Sequence, residues 1–293
     1  MKHLLPYYYI IEITNRCNFK CPICPHSFLE PKNCGDMSMN LFEQIVDQIA
    51  SRAKVIQLYW LGEPLLNQDV YNMIRICKQK TNAKVIISTN GSMLSEQVVL
   101  RLSQSGLDEI VVSVDACESQ DIYHAIRTNG NLGILNRNIE ILIRNKGTMH
   151  IVLQFIDIFI NKKEKELFIK KWQSESCDIS ISCLYTWASQ IPSLKLASDN
   201  LSPVQYKKRI PCADLWNKMT INHNGLVSLC CFDWKQSVVL GDCLTDSLIN
   251  IWNGEIINGI RSSHKRGDYQ DIPICKECDA WAEPEEYEKM YYL

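Results

Sequence analysis

Short apolar runs alternate with amphipathic stretches over the first two thirds of the chain. The first, Tyr7–Thr14, is strongly β-prone. A polar, glycine-containing stretch follows to Met39. Leu41, Phe42, Ile45, Val46 and Ile49 then recur at helical spacing, with Asn40 as the expected N-cap. Strand Lys54–Trp60, helix Asp69–Lys80 and strand Lys84–Thr89 come next. Helix Ser95–Ser105 should end at Gly106, where a C′ glycine is expected. Strand Glu109–Val114 precedes a helical region, Ser119–Asn145, broken near Asn129-Gly130. Strand Met149–Ile156, helix Lys162–Trp172 and strand Asp178–Leu184 complete the series. Such alternation predicts an α/β fold with a parallel sheet and right-handed crossovers. Six units suit an incomplete (β/α)6 barrel, whose sites form at the carboxyl ends of the strands.

The rhythm then stops. Residues 187–203 are polar, carry two prolines and read as a linker or lid. From Ile210 the chain is cysteine-rich and has no βαβ pattern. Met219–Asn222, the turn Asn224-Gly225 and Val227–Cys230 predict a β-hairpin. Ser247–Asn253 begins a helix expected to run on to Ser263. The expected division is therefore 1–186, 187–203 and 204–293.

The chain has 293 residues, 46% hydrophobic and 22% charged, which is enough for a sizeable core. A net charge of −2 argues against an extended nucleic-acid-binding surface. No run approaches the ~18 apolar residues of a membrane span, and Met1–Pro6 is too short for a signal peptide. The expectation is a cytoplasmic protein with neither nucleic acid nor membrane as partner. Fourteen cysteines in clustered spacings then favour metal or cluster ligation over disulfides.

Cys17, Cys21 and Cys24 have C-x3-C-x2-C spacing directly after the first strand. A cubane [4Fe–4S] cluster normally takes four thiolates. Three local ones leave an iron open for a non-protein ligand, the pattern of a catalytic rather than a structural site. A zinc knuckle lacking its fourth ligand is the blander reading. The spacing and position resemble the radical S-adenosylmethionine (SAM) enzymes, in which the open iron binds the amino and carboxylate groups of SAM. Gly62-Glu63-Pro64, after the second strand, resembles that family's GGE motif, with Leu61 replacing the first glycine. Its backbone would meet the SAM amino group, which glycine permits by close approach. Ser88 and Asn90 end the third strand, and Ser113 and Asp115 the fourth. The resemblance makes them pocket residues for ribose hydroxyls and the methionine carboxylate, and ordinary turn chemistry is the alternative. Arg127 suits a carboxylate, or else is a solvated helix arginine. Gln154, inside an apolar strand, lines the pocket or is a satisfied core amide. Ile23 departs from the family pattern, which has an aromatic before the third cysteine.

Cys212, Gly225, Cys230, Cys275 and Cys278 resemble the SPASM domain in its shortened twitch form, which implies one auxiliary [4Fe–4S] cluster on the four cysteines. Zinc on the same four, or Cys231 in place of Cys230, are alternatives. Cys77 reads as core. Cys183, Cys231 and Cys243 are candidate hydrogen-atom donors.

The family resemblance implies two [4Fe–4S] clusters, SAM as cosubstrate and an external one-electron reductant such as flavodoxin or ferredoxin. It further implies cleavage of SAM to a 5′-deoxyadenosyl radical that takes a hydrogen atom from the substrate, inside a site closed against side reactions. Oxidation of a small sugar- or aminocyclitol-like molecule is the favoured outcome, with the electron passing to the auxiliary cluster. Because the chain starts almost at the first strand, no added peptide-recognition domain is expected. Cysteine-quenched epimerisation, peptide or protein maturation, and a non-enzymatic metal-binding or electron-carrier role are the rivals. Tyr185, Trp187 and the lid are where substrate specificity is expected.

Overall fold

A computed structural model describes residues 3–191 and 209–278. The first two thirds form the expected units: β1 (Tyr8–Ile11), α1 (Met39–Ile49), β2 (Val55–Gln57), α2 (Val70–Lys80), β3 (Lys84–Thr89), α3 (Glu96–Ser105) and β4 (Glu109–Ser113). Two helices, α4 (Gln120–Ile126) and α5 (Leu132–Asn145), lead to β5 (His150–Asp157), α6 (Lys162–Trp172) and β6 (Asp178–Cys183). All neighbouring pairs from β1 to β6 are parallel. The strand ends of one edge therefore gather every loop that carries a sequence motif. Along β1 all four residues are buried, as befits a strand covered on both faces.

Local chemistry sets the boundaries. Ser38, not Asn40, caps α1, its hydroxyl accepting the Leu41 N–H at 3.3 Å. Ser38 is still extended, as an N-cap must be. Gly106 closes α3 at φ 85°. The α4–α5 break is enforced twice: Asn129 has φ 73°, and Asn131 caps α5 through the Ile134 N–H.

The C-terminal third joins the sheet of the first six strands. β7 (Lys218–Ile221) pairs in parallel with β1, Tyr8 opposite Lys218 and Ile11 opposite Ile221. β8 (Leu226–Ser228) returns antiparallel across the expected hairpin, and β9 (Val239–Asp242), which the sequence did not announce, follows it. One sheet results, ordered β6-β5-β4-β3-β2-β1-β7-β8-β9. The core is equally continuous: Tyr9, Phe42 and Ile56 belong to the same buried cluster as Met219, Leu248 and Trp252. The cysteine-rich region thus continues the sheet and shares buried contacts with the first six strands.

One helix expectation is corrected. The helix read as Ser247–Ser263 is two, Leu248–Trp252 and Glu255–Arg266, because Gly254 is extended and serves as N-cap of the second. Of the linker or lid 187–203, residues 192–203 lie outside the described residues. Residues 187–191 are packed rather than exposed: Ala188 and Ile191 are buried, and the Trp187 ring lies 5.7 Å from that of Phe232. Among the described residues no helix is long and apolar enough to cross a membrane.

Candidate functional site

Beyond Ile11 the chain leaves the sheet as a loop folded on itself. Cys24 N–H donates to the Cys21 carbonyl at 3.0 Å, and the Ser27 hydroxyl donates to the same carbonyl at 2.6 Å. The Phe19 N–H points at the Cys17 sulfur, 3.4 Å away. Cys17, Cys21 and Cys24 thereby line one cavity of about 110 Å³ at the carboxyl edge of the sheet. Six of the residues singled out from the sequence join them there: Gly62, Glu63, Ser88, Asn90, Ser113 and Arg127.

Gly62 fits tightly. A Cβ on it would lie 2.2 Å from the Thr14 carbonyl oxygen and 2.9 Å from that of Arg16. The glycine lets the β2 loop press on the cysteine loop, and the Glu63 N–H then donates to the Arg16 carbonyl at 2.8 Å. The Glu63 carboxylate is buried. It accepts from the Thr89 hydroxyl (2.8 Å), the Asn90 N–H (2.7 Å) and the Leu65 N–H (3.2 Å). Burial pushes its pKa up to about 7 despite those donors. Asn90 in turn donates to the Asn18 side chain at 2.8 Å, tying the third strand end to the cysteine loop.

Arg127 is held from behind. Asp115 is wholly buried at φ 62°, accepts from Arg127 Nε at 2.6 Å, and takes the Ile156 N–H at 2.6 Å on its other oxygen. Burial works against the guanidinium charge, but Asp115 and Cys21 more than offset it and push the Arg127 pKa up. Glu164 anchors this loop, one carboxylate oxygen accepting the N–H groups of Cys117 (2.7 Å), Glu118 (2.8 Å) and Ser119 (3.1 Å).

Three singled-out residues do not line the cavity. Pro64 starts a buried 3-10 turn behind Glu63. Asp115 reaches the site only through Arg127. Gln154 sits beside Ser113 in register, one strand further out. Sequence reasoning missed Phe19, His26, Tyr59 and Trp60, which all line it. Tyr59 and Trp60 stand at the end of an apolar run, where the strand-end rule would have found them. Ile23 packs instead in a small apolar cluster with Leu61 and Trp234.

A second cavity, of about 40 Å³, holds Cys212, Cys230, Cys275 and Cys278. Cys231 does not line it. His264 and Asp214 do. Burial, with a smaller contribution from Arg209, lowers the His264 pKa to about 4. The hydrogen-donor candidates are placed elsewhere: Cys183 ends β6, Cys243 is buried after β9, and neither they nor Cys231 line the cluster-loop cavity.

Both thiol sets suit iron–sulfur clusters. Burial pushes the Cys17 thiol up to about 11 and those of Cys24 and Cys275 to about 12, so ionised sulfurs here need the positive charge of bound iron. Among the described residues no three His, Cys, Asp or Glu side chains converge to hold a single metal ion. Instead three thiols line the first cavity and four the second, the numbers that an open and a closed four-iron cluster take.

A third, larger cleft of about 650 Å³ lies over the ends of β1 and β7. Leu61 lines both it and the cluster-loop cavity. Its floor includes buried Glu12, which accepts from the His223 N–H at 3.2 Å and lies 3.0 Å from His223 Nδ1. Its walls include Phe28 and Trp234, whose rings are 6.3 Å apart, and the amides of Asn15, Asn33 and Gln236.

Comparison with known proteins gives this geometry a family. The radical SAM superfamily model matches residues 11–167, and an iron–sulfur cluster-binding domain model, SPASM, matches residues 212–279. The chain is 22% identical over 272 residues to the S-adenosyl-L-methionine-dependent 2-deoxy-scyllo-inosamine dehydrogenase of Niallia circulans, covering 92% of this chain and 91% of that protein. It is 24% identical over 269 residues to the tungsten-containing aldehyde ferredoxin oxidoreductase cofactor-modifying protein of Pyrococcus furiosus, covering 89% and 73%. The crystal structure of BtrN in complex with AdoMet and 2-DOIA superposes with a TM-score of 0.65 at 19% identity, covering 94% of each chain. The chain therefore belongs to the radical SAM superfamily and carries a C-terminal SPASM domain.

Proposed function

We propose that this radical SAM enzyme oxidises a small polar substrate of the sugar or aminocyclitol kind. Cys17, Cys21 and Cys24 would hold the SAM-binding cluster. The space lined by Gly62, Ser88, Asn90, Ser113 and Arg127 would hold SAM. When bound, these groups supply the 5′-deoxyadenosyl radical, with the initiating electron coming from an external reductant such as flavodoxin or ferredoxin. The protein's part is to fix Arg127 through Asp115, to close the cysteine loop against Gly62, and to keep the reacting atoms from water.

The observation that carries the substrate class is the cleft beside the cluster-loop cavity. Amides, the carboxylates of Glu12 and Glu30 and the ammonium groups of Lys32 and Lys235, set against two aromatic rings, suit a molecule whose edge is polar and whose faces are C–H. The cleft meets the reaction cavity at Leu61. Loss of one hydrogen atom, one electron and one proton would convert a substrate carbinol to a ketone. An auxiliary cluster on Cys212, Cys230, Cys275 and Cys278 would be the electron acceptor. The resemblance in sequence over nearly the whole of a dehydrogenase of this substrate class supports the reading. None of Cys183, Cys231 and Cys243 lines the cleft or the cluster-loop cavity, but the free thiol of Cys34 lines the cleft, so cysteine-quenched epimerisation is the second reading.

The test is anaerobic. Reconstituted protein should hold about eight irons. With SAM, dithionite and a panel of aminocyclitols and amino sugars, it should form 5′-deoxyadenosine and a ketone in equal amounts, and Cys17→Ala should abolish both. Deuterium uptake from D2O without net oxidation would replace the proposal with epimerisation. Turnover of peptides but of no panel member would replace it with peptide maturation.

A further inference from the structure

The four-cysteine cavity contains a hydrogen-bond donor with nothing to donate to. Its other polar side chains are engaged: Asp214 accepts from Lys218 Nζ at 3.1 Å, and Arg209 donates to the Cys275 carbonyl at 2.6 Å. His264 differs. It stands near the end of helix Glu255–Arg266, is 1% exposed, and packs edge-on against Tyr269 with the rings 4.8 Å apart. Its Nδ1 accepts the Cys212 N–H at 3.3 Å. The proton of the neutral ring therefore sits on Nε2. Nε2 is buried and has no hydrogen-bond partner among the described residues. A donor kept in that state is costly, and such a group calls for an acceptor or a functional role. The four cysteine sulfurs line the same cavity as this ring.

We propose that His264 Nε2–H donates a hydrogen bond to a sulfur of the auxiliary cluster on Cys212, Cys230, Cys275 and Cys278, and thereby raises its reduction potential. The inference rests on the reading of that site as an iron–sulfur cluster. Reduction places negative charge on the cluster sulfurs, so a fixed donor favours the reduced form, and hydrogen bonds to sulfur are a recognised control of cluster potential. The Cys212 N–H to Nδ1 bond selects the tautomer and ties the ring to a ligand residue, so the donor keeps its place relative to the cluster. A higher potential makes the cluster a better acceptor for an electron leaving the substrate.

The experiment uses the full chain with Cys17, Cys21 and Cys24 all replaced by alanine, so that iron resides in the auxiliary site alone. Redox titration followed by electron paramagnetic resonance, and electron–nuclear double resonance after exchange into D2O, compare His264 with H264F and H264Q. Wild-type His264 should show about four irons and an exchangeable deuteron coupled to the reduced cluster. H264F should keep the iron, titrate at lower potential and lose that coupling. H264Q, which keeps an N–H, should lie between. Unchanged potential and coupling in H264F would overturn the proposal, as would a directly bonded histidine nitrogen in the wild type. If H264F holds no iron, H264Q decides: a lowered potential with weakened coupling supports the proposal, and wild-type values overturn it. Zinc in place of iron with His264 intact would refute the underlying cluster reading, and the proposal with it.

Discussion

Gly62→Ala is the sharpest test of how the site is assembled. The added Cβ would stand 2.2 Å from the Thr14 oxygen, 2.8 Å from the Thr14 carbonyl carbon and 2.9 Å from the Arg16 oxygen. All three are backbone atoms, so no side chain can rotate away. Reaching an ordinary contact of 3.4 Å requires the two loops to separate. That stretches the 2.8 Å bond from Glu63 N–H to the Arg16 carbonyl and moves the cysteine loop off the cavity it lines. Overpacking of this kind costs up to about 3 kcal/mol. The expected result in urea unfolding of the metal-free protein is a loss of about 3 kcal/mol, with an unchanged slope. Cys17-dependent 5′-deoxyadenosine formation should fall by more than the folded fraction accounts for. Gly259→Ala is the control, since nothing lies within 4 Å of its Cβ and alanine favours a helix interior by about 1 kcal/mol. If G62A and G259A unfold alike, the close loop contact does not govern the site.

Three other outcomes follow from the same geometry. Arg127→Met leaves the wholly buried Asp115 with only the Ile156 N–H, and should cost about 3 kcal/mol in urea unfolding; adding Asp115→Asn should recover part of it, whereas full additivity would deny the coupling. Glu164 is buried, which raises its pKa, but its three N–H donors outweigh this and hold it below the ordinary carboxylate range. Its contribution is therefore complete above the unfolded pKa of about 4.3 and lost as pH falls through the lower folded value; Glu164→Gln should cost about 2 kcal/mol at neutral pH and flatten the acid limb of urea midpoints measured from pH 7 to 3. Cys230→Ala should lose the auxiliary iron while Cys231→Ala keeps about four, and equal loss in both would return Cys231 to the ligand set.

The sequence determined the parts whose cause is local. Periodicity located the six parallel strands and the helices between them, because each strand is a short apolar run and each helix buries one apolar face. Lys84–Thr89 and Lys162–Trp172 coincide with the observed elements, and Gly106 ends its helix as read. The C-x3-C-x2-C spacing located the cysteine loop, because three thiols that must line one cavity lie within one loop. Tertiary structure decided what depends on long-range pairing. That β7 lies beside β1 cannot be read from either strand alone, since both are simply short and apolar. The choice of Cys230 over Cys231 turns on which neighbour faces the cavity, and adjacent residues in sequence do not reveal it. Asp115 follows the end of β4 and Gln154 lies inside β5, both as expected, yet the first backs Arg127 and the second sits one strand beyond Ser113. The partner-less Nε2 of His264 exists only because a helix some fifty residues downstream of Cys212 folds back onto that cysteine's own N–H.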